Sequence, residues 1–187
     1  MMPFSKVSIP GLLIFEPAVF ADSRGFFYES YNENVFVKEG INEKFVQDNQ
    51  SRSEYGVVRG LHYQQGDFAQ SKLVRVLIGT ILDVAVDIRR NSPTYGQVYT
   101  IELSAENKKQ LYIPKGFAHG FSVLSEVAEV MYKCDNFYNK QSEGGILLND
   151  QQLAIDWQIP NDEMIVSDKD KNNMAFANLQ TTFEFAG

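Results

Sequence analysis

The run KLVRVLIGTILDVAVDIR, Lys72 to Arg89, consists of two apolar, β-branched segments joined at Gly79-Thr80. Side chains branched at Cβ favour a pleated strand, and a glycine between two such segments is a turn signal, so the run predicts strand, turn, strand. A two-residue loop would pair Val76 with Asp83, Val74 with Ala85 and Lys72 with Asp87. Successive side chains alternate between faces, so Lys72, Asp83 and Asp87 would then share one face of the ladder. Two carboxylates and an ammonium on a greasy hairpin fit either a solvated outer face or the wet lining of a barrel interior.

The same pattern continues on both sides. Phe26–Tyr31, Val57–Tyr63, Gly96–Leu103, Gln110–Ile113, Gly120–Leu124 and Ala128–Cys134 read as further strands. Short helices are expected at Glu33–Glu39 and Gln151–Ile155. Many short strands separated by Gly and Pro turns, with few helices, point to an all-β sandwich or jelly roll with short peripheral helices. With no composition break, low-complexity tract or fixed-period repeat, residues 1–187 are expected to form a single domain.

Composition narrows the function. The 187 residues carry a net charge of -7, which speaks against nucleic-acid or anionic-membrane binding and requires a local Arg/Lys cluster for any anionic ligand. Fourteen Phe and nine Tyr favour strands and broad apolar pockets. Cys134 is the one cysteine and has no internal disulfide partner, which fits a reducing compartment. The opening MMPFSKVSIPGLLIF has no apolar run long enough for a signal or a membrane span, so the cytoplasm is expected.

Two histidines carry the chemistry. His62 stands in RGLHYQ and His119 in IPKGFAHGF, whose Pro-x-Gly-x-x-His spacing resembles the second motif of cupins, small β-barrels that often hold a metal. Two imidazoles without a His-x-His are too few nitrogen ligands for a catalytic metal, so none is expected. An imidazole in a barrel mouth is then most useful as a base, with a carboxylate to fix its tautomer. Asp83, Asp87 and Asp170 are all candidates for that carboxylate. YKCDNFY supplies Tyr132 and Tyr138 as acids, and Lys72 could stabilise an oxyanion. A base, an acid and a cation suffice to move a proton beside a ketone without a cofactor, and no dinucleotide fingerprint, P-loop or cofactor lysine motif is present. Singly, each of these residues is ordinary; their joint occurrence is what points to catalysis.

Eight stretches occur in one order: DSRGFFYESYN (Asp22–Asn32), FVQDNQSRS (Phe45–Ser53), GVVRGLHYQ (Gly56–Gln64), SKLVRVLIGTILDVAVDIRRNSPTYG (Ser71–Gly96), YIPKGFAHGFSVLS (Tyr112–Ser125), MYKCDNFYN (Met131–Asn139), SEGGILLND (Ser142–Asp150) and SDKD (Ser167–Asp170). Together they resemble the dTDP-4-dehydrorhamnose 3,5-epimerase family. The resemblance implies a cupin-like β jelly roll, a homodimer that exchanges N-terminal strands, a dTDP-sugar substrate, and neither metal nor organic cofactor. It implies His62 as the base, Asp170 as its carboxylate, Tyr132 as the acid on the opposite face, and Lys72 at the enolate with Asp83 nearby. Arg24, Arg59 and His119 match contacts to the diphosphate and sugar; Glu29, Gln47, Asp48 and Asn49 match contacts to the nucleotide sugar and base. Tyr138 matches the aromatic that stacks on thymine, and Glu143 and Lys169 match further ligand contacts. The implied reaction converts dTDP-4-dehydro-6-deoxy-D-glucose into dTDP-4-dehydro-L-rhamnose in dTDP-L-rhamnose biosynthesis. The alternative is a relative that inverts only C3 or only C5 of a related dTDP-4-keto-deoxysugar. The chain departs from the family pattern in QGDFAQ (Gln65–Gln70), which has no proline, and at Leu147-Leu148, where an aromatic often precedes the Asn-Asp pair.

Overall fold

The computed structural model describes residues 3–186. Its strands in chain order are β1 (Phe4–Lys6), β2 (Leu13–Phe15), β3 (Val19–Asp22), β4 (Gly25–Tyr28), β5 (Gln47–Glu54), β6 (Val57–Gln64), β7 (Lys72–Ile78), β8 (Thr80–Asp87), β9 (Val98–Ser104), β10 (Gln110–Ile113), β11 (Phe117–Val123), β12 (Val127–Cys134), β13 (Glu143–Gly145) and β14 (Ile165–Val166). Two short helices, α1 (Glu33–Lys38) and α2 (Asp168–Lys171), sit outside the sheets. One antiparallel sheet has the order β1-β2-β10-β7-β12-β5. The other runs β13-β6-β11-β8-β9, with β14 added in parallel beside β6, and the β3–β4 hairpin stands apart. This is the all-β, cupin-like jelly roll that the strand pattern and the resemblance predict.

The hairpin expected across Gly79 does not form. β7 pairs with β10 and β12, whereas β8 pairs with β11 and β9, so the two strands belong to different sheets. The predicted pairs Val76–Asp83, Val74–Ala85 and Lys72–Asp87 are therefore absent. Gly79 is the corner where the chain crosses from one sheet to the other. Its φ of +77° and the 2.0 Å between a built Cβ and the Val127 carbonyl oxygen leave room for glycine alone. Alternation demands only that each run turn every second residue inward, and a sheet crossing meets that demand as well as a hairpin does.

Three apolar clusters hold the layers together. Val74, Val76, Leu111 and Val130 of the first sheet meet Ile81, Ala85, Phe117 and Phe121 of the second between the sheets. Outside the second sheet, Leu82, Val84, Val86, Leu61 and Ala118 pack on Leu148, Leu153, Trp157 and Phe176 of the C-terminal third. Outside the first, Leu73 and Tyr112 pack on Phe15, Phe36 and Ile41. Full burial of each such aliphatic or aromatic side chain contributes about 1.5–3 kcal/mol. Leu148, one of the two leucines at the family departure, is spent in the outer cluster.

Two further expectations need correcting, and two elements appear that no expectation covers. Asp87 is a candidate partner for neither histidine: it accepts from Arg89 Nη2, Ser92 Oγ and Thr94 Oγ1, each at 2.7 Å. Burial disfavours its charge, but those donors together hold its carboxyl below the usual range. β5, a run of polar residues, is a strand that no apolar pattern announces. Gln151–Ile155 forms turns around Asp150, whose carboxylate accepts the Gln152 and Leu153 amides, instead of a helix. α2 appears where none is expected, capped by Ser167. Among the described residues no helix is long and apolar enough to cross a membrane.

Candidate active site

A bulge in β6 builds the site. His62 is opposite His119 and Arg59 opposite Phe121, so three steps along β6 match two along β11. In a regular strand, residues three apart face opposite sides; the extra residue restores Arg59 and His62 to the same, inward face. The bulge contains Gly60, at φ +139°, where a built Cβ would lie 2.7 Å from Gly120 Cα. Val58 before the bulge and Leu61 and Tyr63 after it all point outward into the second apolar cluster.

Inside, a cavity of about 560 Å³ opens between the sheets, lined by His62, Arg59, His119 and Phe121 on one side and by Asn49, Ser51, Lys72 and Tyr132 on the other. Ile165, Val166, Ser167, Lys169 and Asp170 complete its rim. Asp170 is placed by the one-turn α2, whose N-cap Ser167 Oγ accepts the Asp170 amide at 3.1 Å. Its Oδ1 lies 2.6 Å from His62 Nε2, and its Oδ2 accepts the Gly60 amide at 3.4 Å. With Nε2–H donated to the carboxylate, Nδ1 keeps its lone pair.

Burial pulls the His62 pKa below the ordinary 6.5, outweighing the hydrogen bond and charge of Asp170, while Lys72 and Lys169 push the same way as burial. The ring is thus held neutral, as a base must be. Burial raises the Tyr132 phenol, which keeps its proton to give. Lys72 Nζ stands 5.7 Å from the centroid of the Tyr132 ring, and burial pulls its pKa down against the charges of Cys134, Asp83 and Glu143. A second imidazole–carboxylate pair, His119 Nε2 to Asp83 Oδ1 at 2.8 Å, lies beside the first, with His119 on the cavity wall. Asp83 is fully buried, and its Oδ2 has no hydrogen-bond partner among the described residues. Arg59 is braced by Ser53 Oγ through Nε and Nη2 at 3.2 and 3.1 Å.

The remaining expected residues divide into three groups. Gln47 bonds Asn49 Oδ1 at 3.1 Å and accepts the Tyr138 amide at 3.1 Å, while Tyr138, Glu143 and Lys169 form a connected rim. Asp48 points to the other face of β5, where Lys133 Nζ meets it at 2.9 Å. Arg24 and Glu29 lie outside the cavity, exposed at the β3–β4 hairpin, with Arg24 turned onto Asp22. Sequence reasoning missed Ser53, Ser51 and Val166; the polar alternation of QDNQSRSE was the available signal for the first two. Among the described residues, no group of three or more His, Cys, Asp or Glu side chains is arranged to hold a metal ion.

Comparisons with known proteins give the family. Residues 6–178 match the family model described as dTDP-4-dehydrorhamnose 3,5-epimerase. A dTDP-4-dehydrorhamnose 3,5-epimerase of Shigella flexneri is 56% identical over 173 residues, covering 91% of this chain and 94% of that one. The crystal structure of a dTDP-4-dehydrorhamnose 3,5-epimerase from Elizabethkingia anophelis superposes with a TM-score of 0.90 at 58% identity, over 93% of this chain and 96% of the other. A dTDP-6-deoxy-D-glucose-3,5-epimerase from Legionella pneumophila, in complex with dTDP-4-keto-L-rhamnose, gives 0.91 at 48% identity, over 95% and 94%. By its sequence and its fold alike, the chain belongs to the dTDP-4-dehydrorhamnose 3,5-epimerase family.

Proposed function

We propose that the protein inverts C3 and C5 of dTDP-4-dehydro-6-deoxy-D-glucose to give dTDP-4-dehydro-L-rhamnose, with no cofactor. The carrying observation is one cavity with a carboxylate-held imidazole on one sheet and a protonated phenol on the other. The C4 ketone acidifies the hydrogens on both flanking carbons. His62 Nδ1 takes one of them, and the electron pair moves onto the ketone oxygen, where the Lys72 ammonium meets it. A fixed donor at such an oxyanion is worth about 2.7–4 kcal/mol of barrier. Tyr132 then returns a proton to the opposite face of the same carbon; His62 releases the abstracted proton to solvent, Tyr132 regains one from it, and a second such round at the other centre completes the conversion.

Arg59 and His119 hold the diphosphate, for which guanidinium and imidazole donors suit phosphate oxygens. Gln47, Asn49, Tyr138, Glu143 and Lys169 serve the nucleotide end, Asp48 faces away from it onto Lys133, and Asp83 supports the interior of the site through His119. Arg24 and Glu29 act on a second copy: the β3–β4 hairpin exposes Phe20, Phe26 and Phe27, a surface suited to a homodimer that exchanges N-terminal strands. The protein works in the cytoplasm.

NMR of the 4-keto sugar nucleotide in D2O with enzyme tests the reaction. Deuterium is expected at both C3 and C5; label at one centre alone would reduce the activity to a mono-epimerase. Tyr132→Phe is expected to let exchange outrun inversion, and an equal fall in both rates would remove Tyr132 as the separate acid.

A further inference from the structure

We propose that Glu143 and Lys169 are a positioning pair that ties the nucleotide rim of the cavity to the His62–Asp170 dyad and sets the protonation equilibrium of His62 in the ligand-free protein. Its consequence for turnover, though not for the protonation of His62 itself, rests on the reading of His62 as the base. Lys169 Nζ lies 2.5 Å from Glu143 Oε1, and Tyr138 Oη donates to Glu143 Oε2 at 3.1 Å. Each partner borders the dyad by covalent geometry: Lys169 immediately precedes Asp170 in α2, and Glu143 opens β13, whose Gly145 is directly opposite His62 in β6. One carboxylate thus bridges the exposed Tyr138 and the helix that carries the dyad's acid.

α2 has only four residues, too few for helix formation to sustain itself. It is held by the Ser167 cap, the Asp170 contacts to His62 and Gly60, and the Glu143–Lys169 pair. The Lys169 side chain is 56% exposed, and ion pairs that open to solvent add little to stability. Such a pair does little for the fold as a whole, but it sits where small charge displacements reach the base.

The charged and titratable groups facing His62 are Asp170 and Lys169 from α2, Lys72 from β7, Glu143 from β13, Tyr132 from β12, His119 and Asp83 from β11 and β8, and Arg59 from its own strand. Lys169 opposes protonation of His62, whereas Glu143 favours it and also neutralises Lys169. Burial raises the Glu143 pKa, but the Lys169 and Tyr138 contacts bring it below the usual range, so its carboxylate stays charged around neutrality.

Imidazole NMR titration of the ligand-free full chain tests the pair. The sequence has two histidines, so a His119→Asn variant assigns His62 without ambiguity. Lys169→Met is expected to raise the His62 midpoint and Glu143→Gln to lower it, with Lys169→Arg restoring the parent value. In a Lys169→Met background the effect of Glu143→Gln should shrink, as for two groups acting through one contact. The acid limb of kcat/KM should move in the same direction as each midpoint. Unmoved midpoints in both single variants, or strictly additive shifts in the double, would overturn the proposal. The titration needs no turnover, so it is independent of the base assignment. Retained activity in His62→Asn would remove His62 as base and leave the pair standing; an inactive His62→Asn with unmoved midpoints would remove the pair alone.

Discussion

His62–Asp170 and His119–Asp83 are two imidazole–carboxylate pairs on neighbouring strands, with the histidines directly opposite each other in the β6–β11 ladder. Their surroundings differ. The His62 side chain is 30% exposed and its carboxylate comes from a one-turn helix outside the sheets; the His119 side chain is 6% exposed and its carboxylate is a fully buried member of β8. A base that exchanges protons with substrate and solvent needs an accessible ring and an adjustable partner. A group that only orients and binds is better fixed in the core, where its geometry cannot drift. On the mechanism proposed above, chemistry falls to the rim pair and binding to the core pair.

The sharpest way to break that division is to replace each ring in turn. His62→Asn should lower kcat by about two to four orders of magnitude with the fold intact, the range that positioned proton transfer contributes. His119→Asn should instead raise KM and leave carbon–deuterium exchange measurable at saturation. Steady-state kinetics and circular dichroism check both, and equal losses of kcat would erase the distinction. The carboxylates come next. Asp170→Asn leaves the imidazole in the wrong tautomer and should cost about 10²–10⁴ in kcat, by analogy with other His–Asp dyads. Asp83→Asn keeps an acceptor for His119 and should act mainly on KM.

The smallest expected effect is in the pH profile. The His62 pKa is depressed by burial, so the acid limb of kcat/KM should lie below the ordinary imidazole value of 6.5. A depressed folded value means that the unfolded chain takes up the proton first, so stability contributed by neutral His62 is present above 6.5 and lost as pH falls through the folded value. Thermal melts of the parent chain and His62→Asn between neutral and mildly acidic pH should diverge in slope over that window.

How much of this was legible in the sequence depended on whether the signal was local. β10 was read with its observed ends, and β6, β9, β11 and β12 within a few residues, because alternation and glycine punctuation are written in each segment. The crossing at Gly79 was not legible: strand, glycine, strand is the same string whether the two runs pair or part. β5 was hidden because its inward residues, among them Asn49 and Ser51, line a wet cavity and carry no apolar period. α2 is too short for periodicity, although Ser167 and Asp170 have the spacing of a capping box, with the carboxylate turned to His62. The residues alone leave Asp83, Asp87 and Asp170 open as partners of the base; the family resemblance singles out Asp170, and only the fold shows how a residue 108 positions away reaches His62.

The surplus residue in β6 makes the orientation of the base a question of odd and even. Arg59 and His62 look into the same chamber because one step of the ladder is counted twice between them. Removing Gly60 would restore ordinary counting without deleting any functional group. The two strands would then match step for step, with His62 still facing the chamber and Leu61 still facing the greasy exterior. What the deletion removes is the Gly60 amide that Asp170 accepts, so it is expected to cost turnover less than deleting the base itself.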